Sequence, residues 1–318
     1  MRRKASHMTA TLHRSHAATP ASALVCRNCG AGYPLGAQHA CFECFGPLEI
    51  GYSTDRLAAV TRQAVEAGPH SLWRYAGLLP VGQDPATRVE SGTGMTPLVR
   101  ADRLADRLGF SAPLWIKDDS ANPTHSFKDR VVSVAITAAR ELGFRRIACA
   151  STGNLANSVA AHAARIGMDS IVFVPADLEP AKITQTAVYG GTLVAVDGSY
   201  DDVNRLCSEL AETDEFAETA FVNVNVRPYY AEGSKTLGYE VAEQLGWRLP
   251  QQVVVPMASG SLLTKVHKAF GELAGIGLVD PLDYRVYGAQ SAGCAPIADA
   301  FAAGRDTELP VRPPGKAK

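Results

Sequence analysis

With 318 residues, 46% of them hydrophobic and 20% charged, the chain is long enough to bury a sizeable core and to form about two domains. Its 31 basic and 32 acidic residues leave a formal net charge of -1, so no global field holds nucleic acid or anionic lipid, and neither is an expected partner. No apolar run approaches the length needed to span a bilayer, which excludes a membrane-embedded chain of helices. The first acidic residue is Glu43, and no apolar stretch follows the opening Met1-Arg2-Arg3-Lys4, which argues against secretion. A disordered tail over residues 1–24 and a cytoplasmic location are expected, with an organelle transit peptide as the alternative for the leader.

Cys26-x-x-Cys29 and Cys41-x-x-Cys44 form two knuckles, predicting a ribbon over residues 25–50. Four thiolates in two such pairs can surround one zinc ion, leaving no position for water, so the ion would be structural. Disulfides or a redox Cys-x-x-Cys are the alternatives, and a reducing compartment favours the metal. Helical periodicity follows over residues 52–79, then a Gly- and Pro-bearing linker to Glu90 and a turn over residues 91–98 that contains Thr96. From Leu114 onward the pattern alternates. Strand-length apolar runs at 114–116, 147–150, 171–174, 193–196, 221–224, 253–255 and 284–287 are separated by helical segments at 127–142, 155–166, 181–189, 201–211, 233–245 and 262–273. Such alternation predicts an α/β fold, a largely parallel sheet with helices on both faces and ligands beyond the strand C-termini.

Two strand-to-helix junctions suit an anion. Ser151, Thr152, Gly153 and Asn154 at one, and Ala258, Ser259, Gly260, Ser261 and Leu262 at the other, can present backbone N–H groups and hydroxyls, although a tight structural turn has the same composition. Between the first strand and the first long helix stands Pro123-Thr124-His125-Ser126-Phe127-Lys128-Asp129-Arg130. Ser126 and Asp129, three apart, read as a capping box, which places Lys128 in the first helical turn. The helix dipole disfavours an ammonium there, so the amine is available for condensation with an aldehyde; the alternative is a surface lysine that extends into solvent. Cys149, at a strand end, reads as a reactive thiol or as a buried inert one.

The Ser126-Phe127-Lys128-Asp129-Arg130 string resembles the pyridoxal-lysine segment of fold-type-II pyridoxal-phosphate enzymes, in the form found in the threonine synthase family. Matching segments follow in order, and the resemblance spans roughly residues 26–290. It implies a tryptophan synthase β-like architecture of two doubly wound sheet domains, large (56–125 and 226–308) and small (126–225), behind an N-terminal zinc ribbon. By the resemblance, the catalytic Lys128 carries pyridoxal 5'-phosphate, Asn154 meets the cofactor's 3'-oxygen, and residues 258–262 hold its phosphate. Ser151, Thr152 and Gly153 bind the substrate carboxylate, Thr96 borders the site, and His125 is a candidate to border the cofactor ring. Glu232-Gly233-Ser234-Lys235-Thr236 matches a segment that begins a helix near the active site, although Glu232 and Lys235 read equally as a surface pair.

The implied reaction converts O-phosphohomoserine and water to threonine and phosphate. Three departures bear on it. The family shows Gly-Asn-x-Gly-Asn where this chain has residues 258–262, threonine where it has Leu155, and arginine where it has Tyr230. The last two serve the substrate phosphate in the family, so β-elimination or β-replacement on another amino acid is the alternative, with Arg227 near enough in sequence to restore a cation. Family chains continue through further strands after the point where this one turns to a Pro-rich tail, residues 309–318. An incomplete large domain with exposed apolar surface is therefore expected, and a non-catalytic homologue is a third reading. The family also implies an amino-acid substrate and a possible homodimer.

Overall fold

The computed structural model describes residues 19–309. The expected tails lie largely outside them, although β1 (Ala21–Cys26) is already a strand. It pairs antiparallel with β2 (Gly32–Tyr33) and β3 (Leu48–Tyr52) in the order β2-β1-β3. Two short helices, α1 (Thr54–Ala58) and α2 (Arg62–Glu66), start at Ser53 and Thr61, whose side chains accept from Arg56 and Ala64 N–H groups. After 3-10 turns at Leu72–Leu78 and Pro85–Thr87, β4 (Leu98–Arg100) and β5 (Trp115–Lys117) pair antiparallel around α3 (Asp102–Leu108).

The alternating region follows as expected. It comprises α4 (Lys128–Glu141), β6 (Arg146–Ala150), α5 (Asn154–Arg165), β7 (Asp169–Pro175), α6 (Pro180–Ala187), β8 (Thr192–Val196), α7 (Tyr200–Leu210) and β9 (Thr219–Phe221). Its four strands form one parallel sheet, β8-β7-β6-β9. Period-two alternation sends Ile147, Cys149 and Val172 into a core with α4 and α5, while Ala148, Ala150 and Phe173 meet Val203 and Cys207 of α7 on the other face. The segment expected as a strand at 221–224 pairs only through Phe221; beyond it Asn225 turns the chain by accepting from Phe221 N–H at 2.8 Å. The second unit continues with α8 (Arg227–Gly233), α9 (Lys235–Gln244), β10 (Gln252–Pro256), α10 (Ser261–Gly275), β11 (Arg285–Ala289) and α11 (Pro296–Ala302). Among the described residues its parallel pairing is confined to β10 and β11, where Val254 and Tyr287 stay exposed.

Helix α4 joins the two units through Arg130, whose side chain is wholly buried. Its guanidinium donates to both oxygens of Glu240 (2.6 and 2.8 Å) and both of Asp119 (2.7 and 2.7 Å). Thr96 donates its hydroxyl to Asp119 and accepts from Arg130, and Lys117 Nζ lies 2.7 Å from Glu240. Two cations therefore balance two carboxylates in a dry space, the condition under which buried charges are tolerated. Packing locks the same junction. Gly233 of α8 has room for no Cβ, which would stand 2.6 Å from the Arg130 carbonyl and the Val131 Cα, so α8 lies directly on the first turn of α4.

Burial pushes the Glu240 carboxyl up, but Arg130 and Lys117 outweigh it and hold it at about 2, below the usual 4.5. The folded value is depressed, so the pair's stabilisation is complete above pH 4.5 and is lost as pH falls through about 2. Glu240→Gln should cost about 3–5 kcal/mol at neutral pH, read from urea unfolding, because it strands buried Arg130, and should flatten that acid limb of the stability curve.

Candidate active site and metal centre

Lys128 is the first residue of α4 and is half-buried. The capping box is not formed: Phe127 stands at the helix start with helical angles and no side-chain cap. The Asp129 carboxylate instead reaches back to Thr124, accepting from its N–H at 2.7 Å and its hydroxyl at 2.6 Å, and takes a third bond from Ser158 at 2.6 Å. Ser126 Oγ accepts from Lys128 N–H. His125 adopts φ 59, a left-handed conformation that few side chains take, and its exposed ring lies with Nδ1 3.2 Å from the Ser120 carbonyl.

The tight approach aims Lys128 at α8, where its Nζ donates to Tyr230 Oη at 3.0 Å. Burial, with Cys149 and Tyr200 beside it, pushes the Tyr230 phenol up while Lys128 opposes the shift. Tyr200 Oη in turn donates to the Ala150 carbonyl at the end of β6. Lys128 and its tyrosine thus meet at the C-terminal edge of the parallel sheet, where strand ends leave room for ligands. Cys149 is wholly buried and burial drives its thiol far up, so the inert alternative holds and the reactive one does not.

The first expected anion loop leaves this edge. Ser151 Oγ accepts from Gly153 and Ala156 N–H groups, shaping a turn into α5 whose first N–H groups, at Asn154 and Leu155, have no carbonyl one turn back. Thr152 and Gly153 are half-buried and Asn154 exposed. The second loop opens the fifteen-residue α10 with Gly260 at φ 75, and only the side chains of Ile297 (3.6 Å) and Met257 (3.9 Å) approach the place of a Cβ. Ala258, Ser259 and Ser261 are exposed and Leu262 is half-buried. Helix α8 packs on both α4 and α10 and so links the lysine to this second loop. An amine, hydroxyls and two long helix N-termini are the groups that a phosphorylated aldehyde requires.

Four residues lie elsewhere than expected. Thr96 is buried, with its hydroxyl committed to Asp119 and Arg130. Glu232 and Lys235 are not a surface pair: both are fully buried. Glu232 takes Lys235 at 2.8 Å, Lys265 at 2.7 Å, Lys268 at 3.0 Å and the Tyr52 hydroxyl at 2.6 Å; burial pushes its carboxyl up, but the three lysines hold it well down. Arg227 is exposed and acts on His39, whose imidazole is pushed down first by burial and then by that charge.

The ribbon brings Cys26, Cys29, Cys41 and Cys44 together, all four Sγ atoms within 4.8 Å of one another. Its knuckles share one hydrogen-bond pattern. Gly30 N–H donates to Cys26 and Phe45 N–H to Cys41, with left-handed φ of 76 and 58. The 3.5 Å Cys26–Cys44 and 3.6 Å Cys29–Cys41 separations compare with about 3.8 Å for tetrahedral thiolates around zinc. The Tyr33 hydroxyl, 3.0 Å from Cys41 Sγ, pulls that thiol down to about 6. A cavity of about 610 Å³ opens between Arg27 and Glu49 of the ribbon and Lys265, Lys268 and Tyr284, and Lys128 is not among its walls.

A family model for pyridoxal-phosphate dependent enzymes matches residues 89–316. The threonine synthase of Methanosarcina acetivorans is 34% identical over 297 residues, 92% of this chain and 70% of that protein; that of Methanocaldococcus jannaschii is 34% identical over 291 residues, 91% and 70%. Among solved structures, the threonine deaminase of T.th. superposes with a TM-score of 0.57 at 24% identity, covering 81% of this chain and 74% of that one. Threonine deaminase isoform 2 of Solanum lycopersicum superposes with a TM-score of 0.55 at 25% identity, covering 66% and 54%, so the chain spans about half of that structure's length. Fold and sequence thus define the fold-type-II class. This chain belongs to the pyridoxal-phosphate dependent enzymes.

Tyr230 is the residue beside Lys128 that the sequence undervalued, since it read only as a missing arginine. The available signal was Gly233 one turn on, a residue that lets α8 approach α4. Thiol reactivity tests the burial on which the site rests: mass mapping after iodoacetamide should find Cys294 alkylated in the folded protein, with Cys149 and Cys207 modified only after unfolding.

Proposed function

We propose that this chain is a pyridoxal-phosphate lyase that eliminates and replaces groups at the β carbon of an amino-acid substrate, with Lys128 as the residue that carries the cofactor. The observation that supports this most is the half-buried Lys128 amine at the C-terminal edge of β6, directly before the 151–154 loop. Bound pyridoxal phosphate supplies an electron sink for charge developing at the substrate α carbon. Ser259, Gly260 and Ser261, with the N–H groups of Ala258 and Leu262, would hold its phosphate, and Asn154 would bind its ring. Ser151, Thr152 and Gly153 bind the substrate carboxylate, while Thr96 supports the site from within the Arg130 cluster. Lys128 would be placed to take and return protons at the reacting carbons.

The second reading is threonine synthase, favoured by the kinship with the two archaeal threonine synthases. Against it stand the neutral Leu155 and Tyr230 in place of the threonine and arginine of the threonine synthases, Tyr230 being the residue that Lys128 meets. Initial rates with serine, threonine, O-phosphoserine and O-phosphohomoserine separate the two. Turnover of an unphosphorylated amino acid at least about ten-fold better, some 1.4 kcal/mol of discrimination, supports the first reading; preference for O-phosphohomoserine supports the second, and absence of turnover with all four contradicts both. Tyr230→Arg should shift preference toward the phosphorylated substrates.

We also propose a structural zinc ion on Cys26, Cys29, Cys41 and Cys44. Metal analysis should find one zinc per chain, and Cys41→Ser should lose it and lower the thermal midpoint, because Leu24, Leu48 and Ile50 of the ribbon share the core of α4 and β6. A metal-free wild-type protein of unchanged stability would contradict this.

A further inference from the structure

Lys128 directs its side-chain hydrogen bond to a residue for which the chemistry above has no use. Its Nζ lies 3.0 Å from Tyr230 Oη and 5.6 Å from the centroid of the same ring. The phenol is held in place from two sides. Gly233, three residues on, seats α8 against the Arg130 carbonyl, and Glu232, between them in sequence, is tied to three lysines and to Tyr52 of the ribbon. A lysine has four flexible bonds, and a fixed acceptor removes much of the freedom that its amine would otherwise keep. The phenol's raised value keeps it a neutral hydroxyl, whose oxygen accepts a hydrogen from Lys128 Nζ.

We propose that Tyr230 is the positioning residue of Lys128: its hydroxyl holds the amine at the edge of β6, beside the 151–154 loop, oriented for attack on an incoming aldehyde. The proposal rests on Lys128 as the cofactor-bearing residue. It assigns the hydroxyl and not the ring as the working part, since a ring alone would need only the cation–π contact.

The test uses the full chain and two labels on Lys128, both located by peptide mapping. Pyridoxal phosphate fixed with borohydride reads an aldehyde that must enter the site, and reductive methylation with formaldehyde reads simple access to the amine. Tyr230→Phe keeps the ring and Tyr230→Leu removes it. Both variants should take the pyridoxyl label about five-fold more slowly, the loss of one hydrogen bond, with methylation of Lys128 unchanged. Wild-type labelling in Tyr230→Phe, or a parallel fall in methylation, overturns the proposal while leaving the Lys128 assignment intact. A wild-type protein labelled on some other lysine overturns both.

Discussion

The contact on which this structure depends is the buried guanidinium of Arg130 between Asp119 and Glu240. Two residues after Lys128 in the same helix, it fixes the rotation and depth of α4 against segments from both units. Buried ion pairs of this kind stabilise little in net terms, but removing one partner is expensive, so they specify one arrangement over its neighbours. That specificity is what an amine at the start of a helix needs. A shift of α4 by one residue would turn Lys128 by about 100°, away from Tyr230 and the sheet edge.

A second charge cluster extends this rigidity to the ribbon. Glu232 gathers Lys235, Lys265 and Lys268, Tyr52 of β3 donates to it, and Lys268 also reaches the Ile50 carbonyl. The ribbon is therefore bonded to the helix that carries Tyr230, and its strands share a core with α4. The four-cysteine cluster beside β1 and β3 and the amine at the sheet edge are two ends of one packed body, joined through α8.

Much of this could be read from the residues alone. The alternation of apolar strands with amphipathic helices is a periodic signal, and β6 to α7 fall where it places them; the paired Cys-x-x-Cys knuckles and the lysine string are local chemistry. What escaped depended on contacts far apart in the chain. The Ser126 and Asp129 spacing suggests a capping box, yet Asp129 is drawn instead to Thr124 and Ser158, a residue that no local pattern predicts. Glu232 and Lys235 have the spacing of a solvent-facing pair, and only the lysines of α10, some thirty residues on, make their burial tolerable. Tyr230 looked like a lost cation because its partner, Lys128, lies 102 residues earlier.

The match to the pyridoxal-phosphate dependent enzymes leaves the atom that anchors the cofactor as the central claim. A crystal structure of the protein soaked with pyridoxal phosphate tests that atom most directly. The account predicts electron density continuous from Lys128 Nζ to the cofactor, with its phosphate at the 258–262 loop. Density joined instead to Lys117, Lys235 or Lys265, lysines of the two charge clusters, would contradict it.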